Sequence, residues 1–110
     1  MTPEGKVKNL VEKFLKTNGL IKLGSAVAAG TTGFYWMPVP YGYGVSYLDF
    51  IGHYKGRLFG IETKVPSKNP TPRQQQMIDA TEKTGAKAFV VRCSEDLQAL
   101  RAWFREVDKL

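Results

Sequence analysis

Three charged residues in the stretch "LDFIGHYKGRLFGIETK" could do chemistry together: Asp49 near one end, and Glu62 and Lys64 near the other. Two carboxylates and an ammonium suit phosphodiester hydrolysis. The acids offer hard oxygen ligands to a divalent cation such as Mg²⁺, with positions left for water and substrate, and the lysine orients a nucleophile or neutralises developing charge. The acids are thirteen positions apart, so the chain must fold back to join them. It does so if Lys55-Gly56 is the two-residue turn of a β-hairpin, with Gly at the second position of a type I′ turn. Tyr54 then faces Arg57, and counting outward places Asp49 opposite Glu62 on one face, with Cβ atoms about 5 Å apart. Lys64 projects from the same face two residues on. Facing like charges destabilise a sheet unless a cation lies between them. The same residues also read as a solvated ion cluster, since Glu4-Gly5-Lys6 is a second Glu-x-Lys, and a register one residue off would turn the acids to opposite faces.

Two helices must flank this hairpin. Thr2 and Pro3 suit an N-cap and first helical position, and Val7, Leu10, Val11, Phe14 and Leu15 make an amphipathic stripe, so a helix is predicted from about Pro3 to Thr17 with Asn18-Gly19 as its stop. On that helix Glu4 falls at the edge of the apolar stripe and Glu12 on the polar side with the lysines. After the hairpin, "VPSKNPTP" is a loop delivering a second helix, with Thr71 as N-cap, Pro72 at N1 and Gln74 completing a capping-box pattern. Gln74 shares the face of Met77, Ile78 and Thr81, while Gln75 and Gln76 point away. One acid and one amide therefore look inward from first turns. Each has a plainer reading too: a first-turn Glu complements the helix dipole, and Gln74 caps its own helix. Between these elements, "FYWMPV" reads as a strand and "PYGYGVS" as a loop, whereas "LIKLGSAVAAGTTG" is apolar, glycine-punctuated and unassigned. "AKAFVVR" suits a strand in a sheet interior, and "SEDLQALRAWFREV" a last helix capped by Ser94 with Leu97, Leu100, Phe104 and Val107 inward. The order predicts an α/β layer fold, a small mixed β-sheet flanked by helices, as a single domain over 1–110.

Glu4, Asp49, Glu62-Thr63-Lys64 and Gln74, in this order, resemble the VRR-NUC family of virus-type replication-repair nucleases within the PD-(D/E)XK superfamily. The resemblance is strongest from "MPVPYGYG" through the hairpin to "GAKAFVVRCSEDL" and covers most of the chain. It implies a restriction-endonuclease-like core and an endonuclease dependent on Mg²⁺ or Mn²⁺. Asp49, Glu62 and the backbone carbonyl of Thr63 would ligate the metal, Lys64 would be catalytic, Glu4 would complete the acidic cluster and Gln74 would support the site. Stand-alone members, typically encoded by bacteriophages, are homodimers acting on branched DNA such as four-way (Holliday) junctions. Where the family commonly has Pro before the aspartate, this chain has Leu48, and Leu20 to Gly33 is longer than the usual connection into the first strand. That apolar segment is expected to contribute to a homodimer contact.

Composition bounds the rest. A net charge of +6 and a pI near 9.6 favour a polyanionic partner such as DNA. Lys55, Lys68 and Arg73 are expected phosphate contacts on flanking loops, and Tyr41 and Tyr43 expected DNA contacts from theirs. With no apolar run long enough for a bilayer and no signal-peptide pattern, an intracellular, cytoplasmic protein is expected. Cys93 is the sole cysteine, which leaves no disulfide framework; it is expected to be a buried thiol without a role. His53 is the sole histidine and sits near the hairpin tip, so no Ser-His-Asp or Cys-His system can be assembled around the acids. "YGYG" lacks the third Gly and strand-to-helix context of a phosphate loop. Two other functions fit the same residues: a basic DNA-binding module without turnover, and a restriction-type endonuclease that reads sequence.

Overall fold

The computed structural model describes residues 1–39 and 44–110. Thr2 starts helix α1 (Pro3–Thr17) by accepting the Gly5 N–H at 3.0 Å, and Val7, Val11, Phe14 and Leu15 form its buried stripe. Four of the strands that follow lie before the second helix: β1 (Leu20–Lys22), β2 (Gly33–Trp36), β3 (Phe50–Tyr54) and β4 (Arg57–Thr63). Helix α2 (Pro72–Lys83), strand β5 (Lys87–Val91) and helix α3 (Leu97–Asp108) complete the chain. The sheet is mixed and runs β1-β2-β3-β4-β5 in sequence order; β1/β2 and β4/β5 are parallel, β2/β3 and β3/β4 antiparallel. The expected α/β arrangement of a mixed sheet flanked by helices is therefore present. Among the described residues, no helix is long and apolar enough to cross a membrane.

The hairpin has the expected register. Lys55 and Gly56 both have positive φ, at 50° and 85°, the type I′ signature whose twist matches the flanking strands. Tyr54 pairs with Arg57, and the ladder continues to Phe50 opposite Ile61. Alternation then sorts the side chains. Phe59 and Ile61 of β4 join Tyr35, Phe50, Tyr54, Phe89 and Val91 in the main core beneath α1 and α3. Phe104 of α3 is its hub, stacked on Tyr54 with ring centroids 4.0 Å apart and on Phe14 of α1 at 5.9 Å. Gly60 and Glu62 of β4 turn to the opposite face, towards α2. There the Tyr47 ring lies so close over Gly60 that a β-carbon would overlap it. The Tyr47 hydroxyl is 2.6 Å from Thr81 Oγ1, which itself donates to the Met77 carbonyl at 2.8 Å. Since Thr81 has one proton to give, Tyr47 is the donor in their pair.

Several elements differ from the sequence reading. The unassigned segment begins with a three-residue edge strand, β1, and runs on into a loop with Leu23 and Val27 exposed. Strand β5 is the other edge, not interior: Phe89 and Val91 are buried, but among the described residues only β4 pairs with it. Ser94 makes no cap. A 3₁₀ turn, Ser94–Asp96, precedes α3, and Asp96 reaches back to accept the Arg92 N–H at 2.8 Å. Cys93, expected to be buried, is exposed beside that turn. Glu12, placed on the polar side of α1, instead accepts a 2.6 Å hydrogen bond from the hydroxyl of buried Tyr35 and lies within 4.0 Å of Lys16 and Lys22. Burial and the Glu12 carboxylate together hold the Tyr35 phenol well above its ordinary range.

Candidate active site

Glu62 is the one acidic side chain in the buried interior of the described residues, at 2% exposure. β4 places it there. The strand has strand partners on both edges and helices packed on its faces, so its last five residues are all buried. The Lys64 N–H donates to the Val91 carbonyl at 3.0 Å, prolonging the pleat by a residue and setting Lys64 on the Glu62 side. Its ammonium lies 3.7 Å from Glu62 Oε2. The same oxygen accepts a 3.0 Å hydrogen bond from Gln74 Nε2.

Gln74 joins the two readings its position allowed. Its Oε1 accepts the Thr71 N–H at 2.9 Å while its own N–H donates to Thr71 Oγ1 at 3.2 Å, a complete capping box. Its amide nitrogen remains free to donate, and Glu62 receives it. Gln75, as expected, faces away and donates to Asp79 at 3.0 Å.

Asp49 is the bend residue just before β3, one step beyond the last paired position. Its Oδ2 accepts both the N–H and the hydroxyl of Thr63, at 2.9 and 2.6 Å. Those bonds satisfy a threonine that is fully buried and leave Oδ1 open. The only charged group at Oδ1, among the described residues, is the Lys8 ammonium of α1 at 3.9 Å. Burial pushes the Glu62 carboxyl up to about 7, and the adjacent Asp49 charge pushes the same way; Lys64 offsets part of this. The strain is electrostatic: two acids share a partly dry corner with less positive charge than they can use.

The donor chemistry fits a divalent metal. Mg²⁺ is commonly held by one or two carboxylates plus water and substrate oxygens, and Asp49 Oδ1 and Glu62 offer such ligands, with the Thr63 carbonyl next in the chain. A dication would also relieve the repulsion that raises Glu62. Among the described residues, no group of three or more His, Cys, Asp or Glu side chains comes together; the carboxylates that meet here are Asp49 and Glu62. Glu4, expected to look inward, is instead exposed, because it lies in the first turn of α1, before the buried stripe begins at Val7; it stands one turn before Lys8 on the same side of α1.

Of the expected DNA contacts, Lys68 and Arg73 are exposed on the loop and first turn leading into α2. Lys55 lies at the far tip of the hairpin, about 20 Å along the strand from Asp49. There it pairs with Asp108 at 2.6 Å and caps the Tyr54 ring. Tyr41 and Tyr43 lie outside the described residues. Two contributors were missed in the sequence. Lys8 is one helical turn from Glu4, a signal the helical wheel offered. Arg92 donates from Nε to the Lys68 carbonyl and from Nη2 to Asn69 Oδ1, both at 2.9 Å, and so fastens the loop beside Lys64; nothing in its sequence context marks it. Comparison of the chain with known protein families, curated proteins and solved structures finds no match.

Proposed function

We propose that this protein is a metal-dependent endodeoxyribonuclease that cuts branched DNA such as four-way junctions, with the core of the VRR-NUC branch of the PD-(D/E)XK nucleases. One observation carries the reading: a buried carboxylate, Glu62, raised to about 7 and held by Gln74 and Lys64 beside a second carboxylate, Asp49. A buried acid repelled by its neighbour destabilises a fold and is retained where a ligand uses it. Asp49, Glu62 and the Thr63 carbonyl would hold Mg²⁺ or Mn²⁺, which when bound acidifies water and stabilises charge on the scissile phosphate. Thr63 fixes Asp49 so that Oδ1 remains available, Gln74 fixes Glu62, and Lys64 supplies positive charge against the phosphate oxygens. Lys68 and Arg73 extend that charge along the DNA backbone, consistent with the net charge of +6.

Resolution of a junction needs two cuts, and one chain offers one acid pair, so the working unit in this reading is a homodimer. Leu23 and Val27, 55% and 77% exposed on the β1–β2 loop, support a contact there, as does their apolar character. End-labelled four-way junction and linear duplex, each incubated with Mg²⁺ or with EDTA, test the activity. Mg²⁺-dependent cutting of the junction over the duplex is expected. Junction binding without cleavage would favour the non-catalytic module, and a fixed cut site on linear duplex a sequence-reading enzyme. Light scattering of the parent and Val27→Asp tests the dimer: a monomeric parent that cuts both strands in one encounter removes the need for it.

A further inference from the structure

Lys8 has no part in the chemistry described above, yet its ammonium stands against the one Asp49 oxygen that Thr63 leaves open. The contact is 3.9 Å long, and the lysine side chain remains about one-third exposed. That is too long for a hydrogen bond. It is an electrostatic tether on a flexible stem, easily displaced, with open solvent to move into. Lys64 stands at a similar distance from Glu62, but from the end of β4; Lys8 comes from a separate helix and is the more exposed of the two, 34% against 16%.

We propose that Lys8 is a positioning residue that occupies the metal-facing side of Asp49 until a divalent cation arrives, and then transfers its charge to a phosphate of the bound DNA. The inference rests on the metal-dependent reading of the Asp49–Glu62 pair. In the metal-free protein Lys8 is the positive charge set against Asp49 Oδ1. A cation at Oδ1 must compete with it, and once displaced the ammonium stays on the part-exposed flank of α1 beside Asp49, where a phosphate bound near the acids could meet it. The lysine therefore opposes metal binding and favours DNA binding, two effects of opposite sign that a merely structural surface residue does not produce together.

The test uses Lys8→Met, which keeps chain length and helix propensity and removes the charge. Mn²⁺ affinity is measured by calorimetry without DNA, and four-way-junction affinity in Ca²⁺ across a salt series. Lys8→Met is expected to bind Mn²⁺ about fivefold more tightly, the scale of losing one competing charge that is about one-third exposed. It should bind the junction more weakly, with the slope of log K against log salt reduced by about one. Lys8→Arg should restore the slope. Unchanged or weaker Mn²⁺ binding by Lys8→Met overturns the proposal, and so does an unchanged salt slope. Failure of the underlying reading looks different: a parent protein whose Mn²⁺ binding is absent, or is untouched by Asp49→Asn, removes the metal site itself.

Discussion

Replacing Glu62 by Gln should make the metal-free protein more stable while destroying its proposed activity. The carboxyl is raised from 4.5 to about 7 by burial and by Asp49. The unfolded chain therefore ionises this group near pH 4.5, whereas the folded chain holds the proton until about pH 7. Between those values the native state binds more protons, so stability falls as pH rises. At 1.36 kcal/mol per unit, the full cost above pH 7 is about 3 kcal/mol, of which only about 1 kcal/mol has accrued by pH 5. Gln keeps the shape, can still accept from Gln74, and resembles the protonated acid at every pH. Glu62→Gln should thus exceed the parent by about 3 kcal/mol at pH 8 and by about 1 kcal/mol or less at pH 5, a gain on the order of 10 °C in Tm at the higher pH for a domain of this size. Urea and thermal unfolding in EDTA at both pH values measure it. Adding Mg²⁺ should then narrow the gap by stabilising the parent alone. A variant no more stable than the parent at pH 8, or equally favoured at pH 5 and pH 8, would refute the idea that Glu62 is an electrostatically strained acid.

Asp49→Asn and Lys64→Ala should each abolish Mg²⁺-dependent cleavage while leaving junction binding in gel shifts largely intact; full activity in either would mean the chemistry lies elsewhere. Gln74→Ala removes both the capping box and the Glu62 hydrogen bond, and should lower stability by about 1 kcal/mol and slow cleavage, whereas Gln75→Ala should be near silent in both assays. Glu12→Gln weakens a charge-assisted bond from a buried phenol and should cost about 1 kcal/mol in urea unfolding. Glu4→Gln, exposed and unpartnered, should leave stability unchanged; its effect on cleavage tests whether Glu4 joins the acidic cluster.

What the sequence made legible was local. The Thr2 and Thr71 caps, the Lys55-Gly56 turn and the hairpin register all depend on residues within a few positions of one another, and each is present. Because the turn sets the register, the meeting of Asp49 with Glu62 could be counted from it. The inward face of Gln74 followed from helical period alone. What was not legible depends on partners distant in the chain. Whether β5 is interior or edge depends on how many strands lie beyond it, which its own apolar composition does not encode. Three residues of β1 are too few to show a period, and their parallel alignment with β2 is a property of the sheet. Glu12 lies among lysines on the wheel; only the arrival of Tyr35 from β2 gives it a buried role. Lys8 and Asp49 are likewise joined by tertiary packing, and the end of Asp49's reach is set by Thr63 rather than by the pleat.

The amide at position 74 answers two neighbours of opposite demand. Thr71 presents an N–H and needs an acceptor; Glu62 presents a carboxylate oxygen and needs a donor. Glu would complete the helix cap equally well, but it would set a third negative charge against Glu62. Asn carries both functions on a stem one carbon shorter, and Lys or Arg has no acceptor for Thr71. Gln is the residue type that meets both demands at that length. A library at position 74 sorted for folding at pH 5, where Glu62 keeps its proton, should therefore return Glu and Gln together, while one sorted at pH 8 should return Gln, so the difference between the two selections measures how far this helix start serves the carboxylate rather than the helix.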